Sequence, residues 1–425
     1  MMSSVLPYDI VAQIIDNIGE SDDINLIKAL ALVSHSFHQI STKHLFATID
    51  LRDEQNPTRR ASSKKGFVKL LKRRPEVVKY IRKLTYKVPV DFQSTPFSSV
   101  HHYFDYHDKM LSPILPNLLR TISSVNCFII TASKPVDWNT VDSSLTSVFL
   151  RLPTINQIEL SSIANFPISS LTTSVNLRRL DVSDMSASAV YGPPEIVVRS
   201  EMMPKICEFH ATESSLLTAK LLRAETQDGQ PGFNFMDLRR LSISCRNFYQ
   251  ENPNVLRLLQ NAKLLEKLHL SVPSWWILLQ LHEILSLSAR TLKELVLKVW
   301  FYFNNRPHPL AGLCEVLEEM AGHNVLEALS LEVVVSGDPG QGETEDFIGS
   351  AFQKVEEALV NPGSSTLRQV SFKVFLISRA SVLSQALQFL PDKYLSHLSK
   401  LESVAFSYEC NFDATIEIVP PSLAL

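Results

Sequence analysis

The chain has 425 residues, enough for about three ordinary domains or one long repeat array. Hydrophobic residues make up 45% and charged residues 20%, a composition typical of folded proteins that excludes wholesale disorder. Lysine and arginine number 41 against 44 acidic residues, and the net charge of −3 argues against a general nucleic-acid binder. Leucine is in excess, with 58 residues, and a repeat array would explain that excess.

The cysteines and the apolar segments indicate the compartment. An odd number of cysteines without a C-x-x-C pair argues against a disulfide scaffold or a zinc module and favours buried thiols in a reducing environment. The N-terminus lacks the basic and apolar regions of a secretory signal, and the most apolar stretch, residues 275–289, is interrupted by polar side chains. We therefore expect a soluble protein of the cytoplasm, the nucleus or both, with no membrane partner.

The first fifty residues predict short helices. Pro7 suits the first turn of a helix over residues 6–18, in which Ile10 and Ile14 lie on one apolar stripe. After a turn, residues 24–40 predict a second helix, and a short third segment follows. Apolar residues occupy more than one helical face, and so small a bundle cannot bury all of them. The surplus must meet the rest of the chain or a partner.

Three blocks of this segment, LPYDIVAQIIDNI, ALALVSHSFHQIS and KHLFATIDL, resemble an F-box over about residues 5–51. Phe37 and Phe46 stand where that motif usually has Trp. The resemblance implies docking to the Skp adaptor of SCF-type cullin–RING ubiquitin ligases, and through it to a cullin. The alternative is a helical cap on the array that follows. Carried over by position, the adaptor-binding residues would be Leu6, Pro7, Ile10, Ile14, Leu32, Val33 and Phe37.

Residues 59–74 contain eight lysines and arginines and no acid. We interpret them as a solvated linker that includes an amphipathic helix ended by Pro75, with a nuclear localisation signal as the alternative. The segment GFVKLLKRRPEVVKYIRKLTYKV also resembles the link found in many fungal F-box proteins.

After residue 75 the pattern apolar-x-x-apolar-x-apolar recurs at steps of 22 to 44 residues, with helical patterns such as residues 313–323 and 344–363 between its occurrences. This resembles a leucine-rich-repeat solenoid, in which stacked repeats share a continuous core because no repeat can bury its own apolar residues. The asparagine ladder of standard repeats is missing and the steps are uneven. The alternative is several ordinary α/β domains.

These patterns predict an α/β fold in three parts. Residues 1–51 would form a short all-α F-box-like bundle, and residues 52–75 a basic linker and helix. Residues 76–425 would form an irregular leucine-rich-repeat solenoid, with a parallel β-sheet on the concave face and helices outside.

Motifs for chemistry are missing or weak. The sequence contains no glycine-rich phosphate loop, no G-x-S-x-G elbow and no H-E-x-x-H helix, so we expect neither catalysis nor a cofactor. One cluster has metal-ligand residue types, which suit a divalent cation, but it falls in a predicted loop and we favour a polar loop over a metal site. Its members are His101, His102, Asp105, His107 and Asp108.

Residues between the apolar positions of the predicted strands should point away from the core. Several are basic, and a basic groove could hold an acidic or phosphorylated segment of a protein substrate. The alternative is an ordinary polar strand surface. The residues concerned are Arg179, Arg240, Lys267, His269 and Lys298.

The sequence thus predicts a non-catalytic substrate receptor of an SCF-type ubiquitin ligase, whose F-box docks the Skp adaptor and whose repeats bind an unknown protein. The alternative is a leucine-rich-repeat interaction scaffold with no ubiquitin role. An enzyme with an unrecognised site is the least favoured reading, because no nucleophile–base set or metal set emerges.

Overall fold

The computed structural model describes residues 7–20, 23–52, 70, 73–88, 124–138, 150, 152–185, 196–197, 203–244, 248–272, 281–285, 287–302, 310–321, 323, 325–336, 344–360, 366–377 and 387–412. Leu6, the metal-like cluster at 101–108 and most of the basic run at 59–74 lie outside these residues. The fold is mixed α/β. The chain divides into two compact units: 1–189 with 196–204, and 190–195 with 205–425. The sequence had predicted no boundary in the 190–205 region.

The N-terminal bundle consists of α1 (Tyr8–Glu20), α2 (Ile24–Ala31) and α3 (His35–Leu45). Each helix contributes one buried isoleucine, Ile15, Ile27 and Ile40, to a common centre. Burial of each such side chain contributes roughly 1.5–3 kcal/mol. The bundle therefore has a small core of its own. Partly buried hydrophobic residues pack around that core, namely Val11, Ala12, Ile18, Leu30, Phe37 and Leu45.

The predicted helix over 24–40 is two helices in the structure. The Ser34 side chain accepts a hydrogen bond from the backbone N–H of Phe37 at 3.3 Å, and so caps the start of α3. Asp23 caps α2 in the same way, through the N–H of Leu26 at 3.0 Å. Serine favours helix starts over helix interiors, because its hydroxyl competes with the helical backbone bonds. The break leaves Leu32 and Val33 in the connection between the helices.

Asp16 links α1 to α3. Its carboxylate accepts a hydrogen bond from Lys43 Nζ at 2.8 Å and lies 2.7 Å from His44 Nε2. The two helices approach closely here, and a Cβ at Gly19 would collide with the His44 ring. Burial by itself raises the pKa of Asp16, but the hydrogen bonds from Lys43 and His44 outweigh it and hold that pKa below its ordinary value.

Five parallel strands in chain order form the sheet of the first unit: β1 (Thr48–Arg52), β2 (Lys83–Val88), β3 (Cys127–Asp137), β4 (Gln157–Ala164) and β5 (Arg179–Ser183). Residues up to 51 had been assigned to the helical domain, but Thr48 pairs with Lys83 and β1 is the first strand of this sheet. Short 3-10 helices span Pro75–Tyr80 and Ile168–Thr173, and the two-residue strand β6 is Ile196–Val197.

The second unit alternates strands and helices. Its parallel sheet runs β7 (Glu208–Thr212), β9 (Arg240–Ser244), β10 (Lys267–Val272), β11 (Glu294–Tyr302), β12 (Ala328–Ser336), β13 (Gln369–Ile377) and β14 (Ala405–Phe412); β8 is the short Glu225–Thr226. The helices are α4 (Ser215–Arg223), α5 (Phe248–Asn261), α6 (Leu281–Leu285), α7 (Ala311–Ala321), α8 (Thr344–Val360) and α9 (Leu390–Tyr394), with a 3-10 turn at Leu398–Lys400.

The core of the second unit lies between its sheet and its helices. Alternate strand residues such as Leu268, Leu270 and Leu295 are at most 1% exposed, as period-two alternation requires of a half-buried sheet. Phe352 of α8 meets Phe372 of β13 with ring centroids 5.4 Å apart, which places that helix on the buried face. Leucine serves both the strand and the helix side of this core, which accounts for its excess.

A repeated backbone arrangement sets the register at the start of each strand. The carbonyl of Arg239 accepts hydrogen bonds from both Glu266 N (2.8 Å) and Lys267 N (2.9 Å), and the carbonyl of Glu266 does the same for Lys293 N (2.8 Å) and Glu294 N (3.0 Å). One carbonyl thus holds two successive N–H groups of the next repeat. The same double acceptance occurs at Ala47, Arg82, Asn126, Asn156, Cys207, Lys293 and Glu327.

A second ladder is formed by hydroxyl groups three residues before a strand. Thr154 Oγ1 donates to the Val125 carbonyl at 2.6 Å, and Thr291 Oγ1 to the Leu265 carbonyl at 2.9 Å. In each case the acceptor lies two residues before the preceding strand. These bonds satisfy backbone groups that the turns would otherwise leave without partners. Ser124 and Thr366 repeat the arrangement, with Ile81 and Leu326 as acceptors.

We expect Thr291→Val to lower the free energy of unfolding by about 1–3 kcal/mol, because the Leu265 carbonyl would lose its hydroxyl donor with little change in side-chain shape. Urea denaturation of the full chain measures this loss. Thr212→Val, at an exposed strand position, is the matched control and should change stability by less than about 0.5 kcal/mol. An equal effect of the two substitutions would contradict a stabilising role for the ladder.

We expect Asp16→Asn to destabilise the bundle at neutral pH but not in acid. A carboxyl whose pKa is lowered on folding contributes stability above its unfolded pKa, and this contribution is lost as the pH falls through the folded value. Hydrogen exchange in α1 and α3 should therefore be faster in the variant at pH 7, and the difference should shrink below about pH 4. A difference that does not depend on pH would rule out the ionised pair as its cause.

Candidate protein-docking surfaces

Large apolar side chains are exposed on the N-terminal bundle. Among the residues that the structure describes, seven of the eleven exposed large hydrophobic residues fall between residues 8 and 33. Monomeric proteins rarely expose so many in one small element, and such patches mark interaction sites. We call this set the bundle surface: Tyr8 (56% exposed), Ile10 (45%), Ile14 (46%), Ile24 (42%), Leu26 (42%), Leu32 (87%) and Val33 (66%).

The bundle surface arises because α1 is apolar on two sides. Ile15 points into the bundle and is fully buried, whereas Ile10 and Ile14, four residues apart, share a different and exposed face. Leu32 and Val33 are held by the turn between α2 and α3, in which their N–H groups bond to the carbonyls of Ala29 (3.1 Å) and Leu30 (3.0 Å). The backbone that carries these two exposed side chains is thus held by hydrogen bonds.

Most of the sequence-predicted adaptor-binding residues have exposed side chains. Pro7, Ile10, Ile14, Leu32 and Val33 are exposed. A sixth, Phe37, is half-buried and packs against the bundle core, and Leu6 lies outside the described residues.

Three members of the bundle surface, Tyr8, Ile24 and Leu26, were not singled out from the sequence. The exposure of Ile24 and Leu26 depends on where α2 begins. The cap at Asp23 is the sequence signal that locates this start.

The second candidate surface is the outward-facing side of the strands in the second unit, which we call the polar face. Each lysine and arginine predicted there pairs with a carboxylate. Arg240 lies 3.0 Å from Glu208, and Lys267 and Lys298 pair with Glu294 and Glu332. In the first unit, Arg179 lies 2.8 Å from Asp181 in the same way.

The polar face is therefore lined by ion pairs rather than by free cations. Sequence reasoning singled out the basic residues but not their partners, because each partner in the second unit is on the neighbouring strand at the same register, about one repeat away. Lys267 and Glu294, for example, are paired positions of β10 and β11. Alignment of the repeats by their strands would have found these pairs. Exposed pairs of this kind contribute about 0–1 kcal/mol each.

His269 of β10 lies on the polar face, and its residue surface is exposed. Burial lowers its pKa, and the nearby carboxylate of Glu332 opposes this shift without cancelling it. The shift favours the neutral form of the imidazole. That form offers one hydrogen-bond donor and one acceptor instead of a positive charge.

The described cysteines with resolved shifts are not activated nucleophiles. Burial raises the pKa of Cys127 to about 12, with Glu159 adding to the effect, and raises that of Cys314 to about 11. Thiols with such pKa values are protonated at neutral pH, whereas the thiolate is the reactive form.

Within the described ranges, no group of three or more His, Cys, Asp or Glu side chains is placed to hold a metal ion. None of the helices in the same ranges combines the length and apolar composition needed to cross a bilayer.

Comparison with solved structures finds neighbours of low similarity, one of which is an internalin. No protein-family model matches the chain, and no curated protein matches it. An internalin from Listeria monocytogenes aligns over 68% of this chain and 77% of its own, at 11% sequence identity and a TM-score of 0.28.

The exposure of the bundle surface makes a direct prediction about stability. Ile14→Ser and Leu32→Ser should each change the free energy of unfolding by less than about 0.5 kcal/mol, because neither side chain is part of the chain's own core. Isoleucine and serine also have similar helix propensities. Ile15→Ala, one residue from Ile14 but fully buried, should cost about 2–5 kcal/mol. Hydrogen exchange of the α1 amides measures both effects. Comparable losses in all three variants would show that the bundle surface belongs to the core.

Proposed function

We propose that this chain is a non-catalytic protein-interaction scaffold with two docking surfaces. The bundle surface would bind one protein, and the polar face of the strand–helix repeats would bind another. The observation that carries this proposal is the concentration of exposed apolar side chains, above all Leu32 at 87% and Val33 at 66%, on a bundle that already has a buried core. A partner that covers them gains the free energy of their burial, roughly 25 cal/mol per Å² of apolar area.

Within this class we propose that the bundle acts as an F-box and docks a Skp-type adaptor. Support comes from the order of the three F-box-like blocks and from the exposure of Pro7, Ile10, Ile14, Leu32 and Val33 at the corresponding positions. The helix break before Ser34 contributes as well, because it turns Leu32 and Val33 outward.

On this proposal the chain is the substrate receptor of an SCF-type ubiquitin ligase. Its contribution is positional: a target held on the polar face is brought near a ubiquitin-transfer centre that other subunits supply. Holding two reactants in one assembly replaces a bimolecular encounter and can by itself account for a large acceleration. No nucleophile or base of this chain is required.

A repeat scaffold without a ubiquitin role is the second candidate. It is favoured by the same bundle surface, since exposed apolar side chains indicate that a partner exists without indicating its identity. The two candidates differ only in what covers the bundle surface, so binding of a purified adaptor distinguishes them.

The test is a calorimetric titration of the full chain with a purified Skp-type adaptor. We expect saturable binding by the wild type and at least a hundred-fold loss for the double variant Ile14→Asp/Leu32→Asp, since a charge in a desolvated apolar contact is strongly unfavourable. The double variant Leu264→Asp/Leu287→Asp is the matched control. It places the same charges at apolar sites of the second unit that are 43% and 51% exposed, and should bind normally.

The outcomes separate the two candidates. Failure of the wild type to bind the adaptor would exclude the ubiquitin role and leave the scaffold. Binding that survives Ile14→Asp/Leu32→Asp would show that the adaptor docks elsewhere and that the bundle surface has another partner.

A further inference from the structure

Two aromatic side chains interrupt the polar face at the carboxyl ends of β11, β12 and β13. Trp300, Val334 and Phe375 are paired in register across these three strands, at outward-facing positions. Trp300 and Phe375 are half-buried, and Val334 between them is 2% exposed. The ammonium of Lys298 lies 5.7 Å from the centroid of the Phe375 ring, so the two side chains share this face. We call Trp300, Val334 and Phe375 the aromatic patch.

A row of charges of alternating sign lies beside the aromatic patch. Lys298, Glu332, Lys373 and Glu409 are paired in register on the four neighbouring strands β11 to β14. Lys298 pairs with Glu332, and Lys373 lies 3.1 Å from Glu409. We call these four residues the charge ladder. Its formal charge is zero, because each lysine is paired with a glutamate. The charge ladder therefore offers a polyanion no net positive charge.

The composition of this region is that of a protein-binding site. Interfaces between proteins have aromatic residues at the centre and charged residues at the rim, and tryptophan is among the residues that dominate binding energy. Elsewhere on the polar face of β9 to β14 the outward positions hold mainly serine and ion-paired residues. The aromatic patch with its charge ladder is therefore the best anchor that this face offers a protein target.

The spacing of the charge ladder indicates the form of the partner. Neighbouring strands lie about 4.8 Å apart, so successive charges recur at about that distance across the sheet. A helix laid across the strands repeats one face every three or four residues, which is about 4.5–6 Å. An extended segment repeats a face every second residue, about 6.6–6.8 Å, and loses register within three strands. A helix fits the ladder better.

We propose, on the basis of the protein-binding function proposed above, that the target presents an amphipathic helix that crosses β11 to β14. Its apolar residues, three or four positions apart, cover Trp300 and Phe375. The residues beside this apolar face carry charges of both signs, each opposite in sign to the residue of the charge ladder that it faces. Target recognition is then centred on the aromatic patch, and it does not require a phosphorylated or acidic segment at Arg240 and Lys267.

The test uses a displayed library of random 16-residue peptides and an array of phosphorylated peptides, both applied to the full chain. Selected peptides should show apolar residues at spacings of three and four, with both charge signs on the adjoining positions. Trp300→Ala/Phe375→Ala should weaken their binding at least ten-fold, and the nearby Ser371→Ala should leave it within two-fold. Hydrogen exchange of β11 to β13 establishes that the double variant is folded.

A charge exchange provides a second variant that keeps the ion pair. Lys373→Glu with Glu409→Lys retains the pair but reverses the end of the charge ladder. A selected peptide should bind this variant less tightly, and a synthetic peptide with its opposing charges exchanged should regain affinity.

Several results would overturn the proposal: a period-two apolar pattern, a preference for phosphorylated peptides, binding that ignores Trp300 and Phe375, or no selected peptide at all. The adaptor titration is repeated on Trp300→Ala/Phe375→Ala, which should bind the adaptor like the wild type. If the wild type does not bind the adaptor, only the proposed ubiquitin role is excluded. The helix-binding proposal and the ubiquitin proposal can therefore fail independently.

Discussion

The repeats depend on the satisfaction of backbone groups where each strand begins. Parallel strands must turn sharply after every helix, and the turn brings carbonyl groups into a partly buried edge where an unmade hydrogen bond costs about 1–3 kcal/mol. In this chain one carbonyl accepts two successive N–H groups of the next repeat, as the Arg239 carbonyl does for Glu266 and Lys267. Because these hydrogen bonds involve only the backbone, repeats of unequal length can form them. The strand register is therefore kept although the repeats differ in length.

This arrangement also determines which side chains are neighbours on the outward face of the sheet. Once the first residue of each strand is held against the preceding repeat, every outward position has a defined neighbour on the next strand. Arg240 comes to lie beside Glu208, and Lys373 beside Glu409. The same register places Trp300 and Phe375 on either side of Val334. The charge balance and the apolar centre of the polar face therefore both follow from strand register.

The N-terminal bundle differs from the repeats, because its helices are apolar on more than one side. A helix with a single apolar stripe would bury it and leave a polar exterior. In α1 the stripe that includes Ile15 forms the core, while Ile10 and Ile14 remain outside. Any molecule that covers this surface would gain the free energy of burying these side chains.

Much of the local structure could be predicted from the sequence. Proline at the start of α1, the isoleucine spacing and the recurrence of the apolar-x-x-apolar-x-apolar pattern all act over a few residues, and the helices and strands form where these patterns occur. The break within residues 24–40 was missed because apolar residues continue at helical spacing from α2 into α3, although Ser34 is a recognisable cap. The strand β1 was missed because the strand it pairs with, β2, is 35 residues further along the chain, from Thr48 to Lys83.

By itself, the sequence determined the class of most elements, the repeating core and the excess of apolar residues at the N-terminus, since periodicity and composition are properties of short segments. Only the tertiary structure decided which side chains meet. Lys267 and Glu294 are 27 residues apart, and nothing in either local segment shows that they form a pair until the strands align. The character of the polar face, paired and neutral with an aromatic patch at one end, is a property of that alignment and of no single repeat.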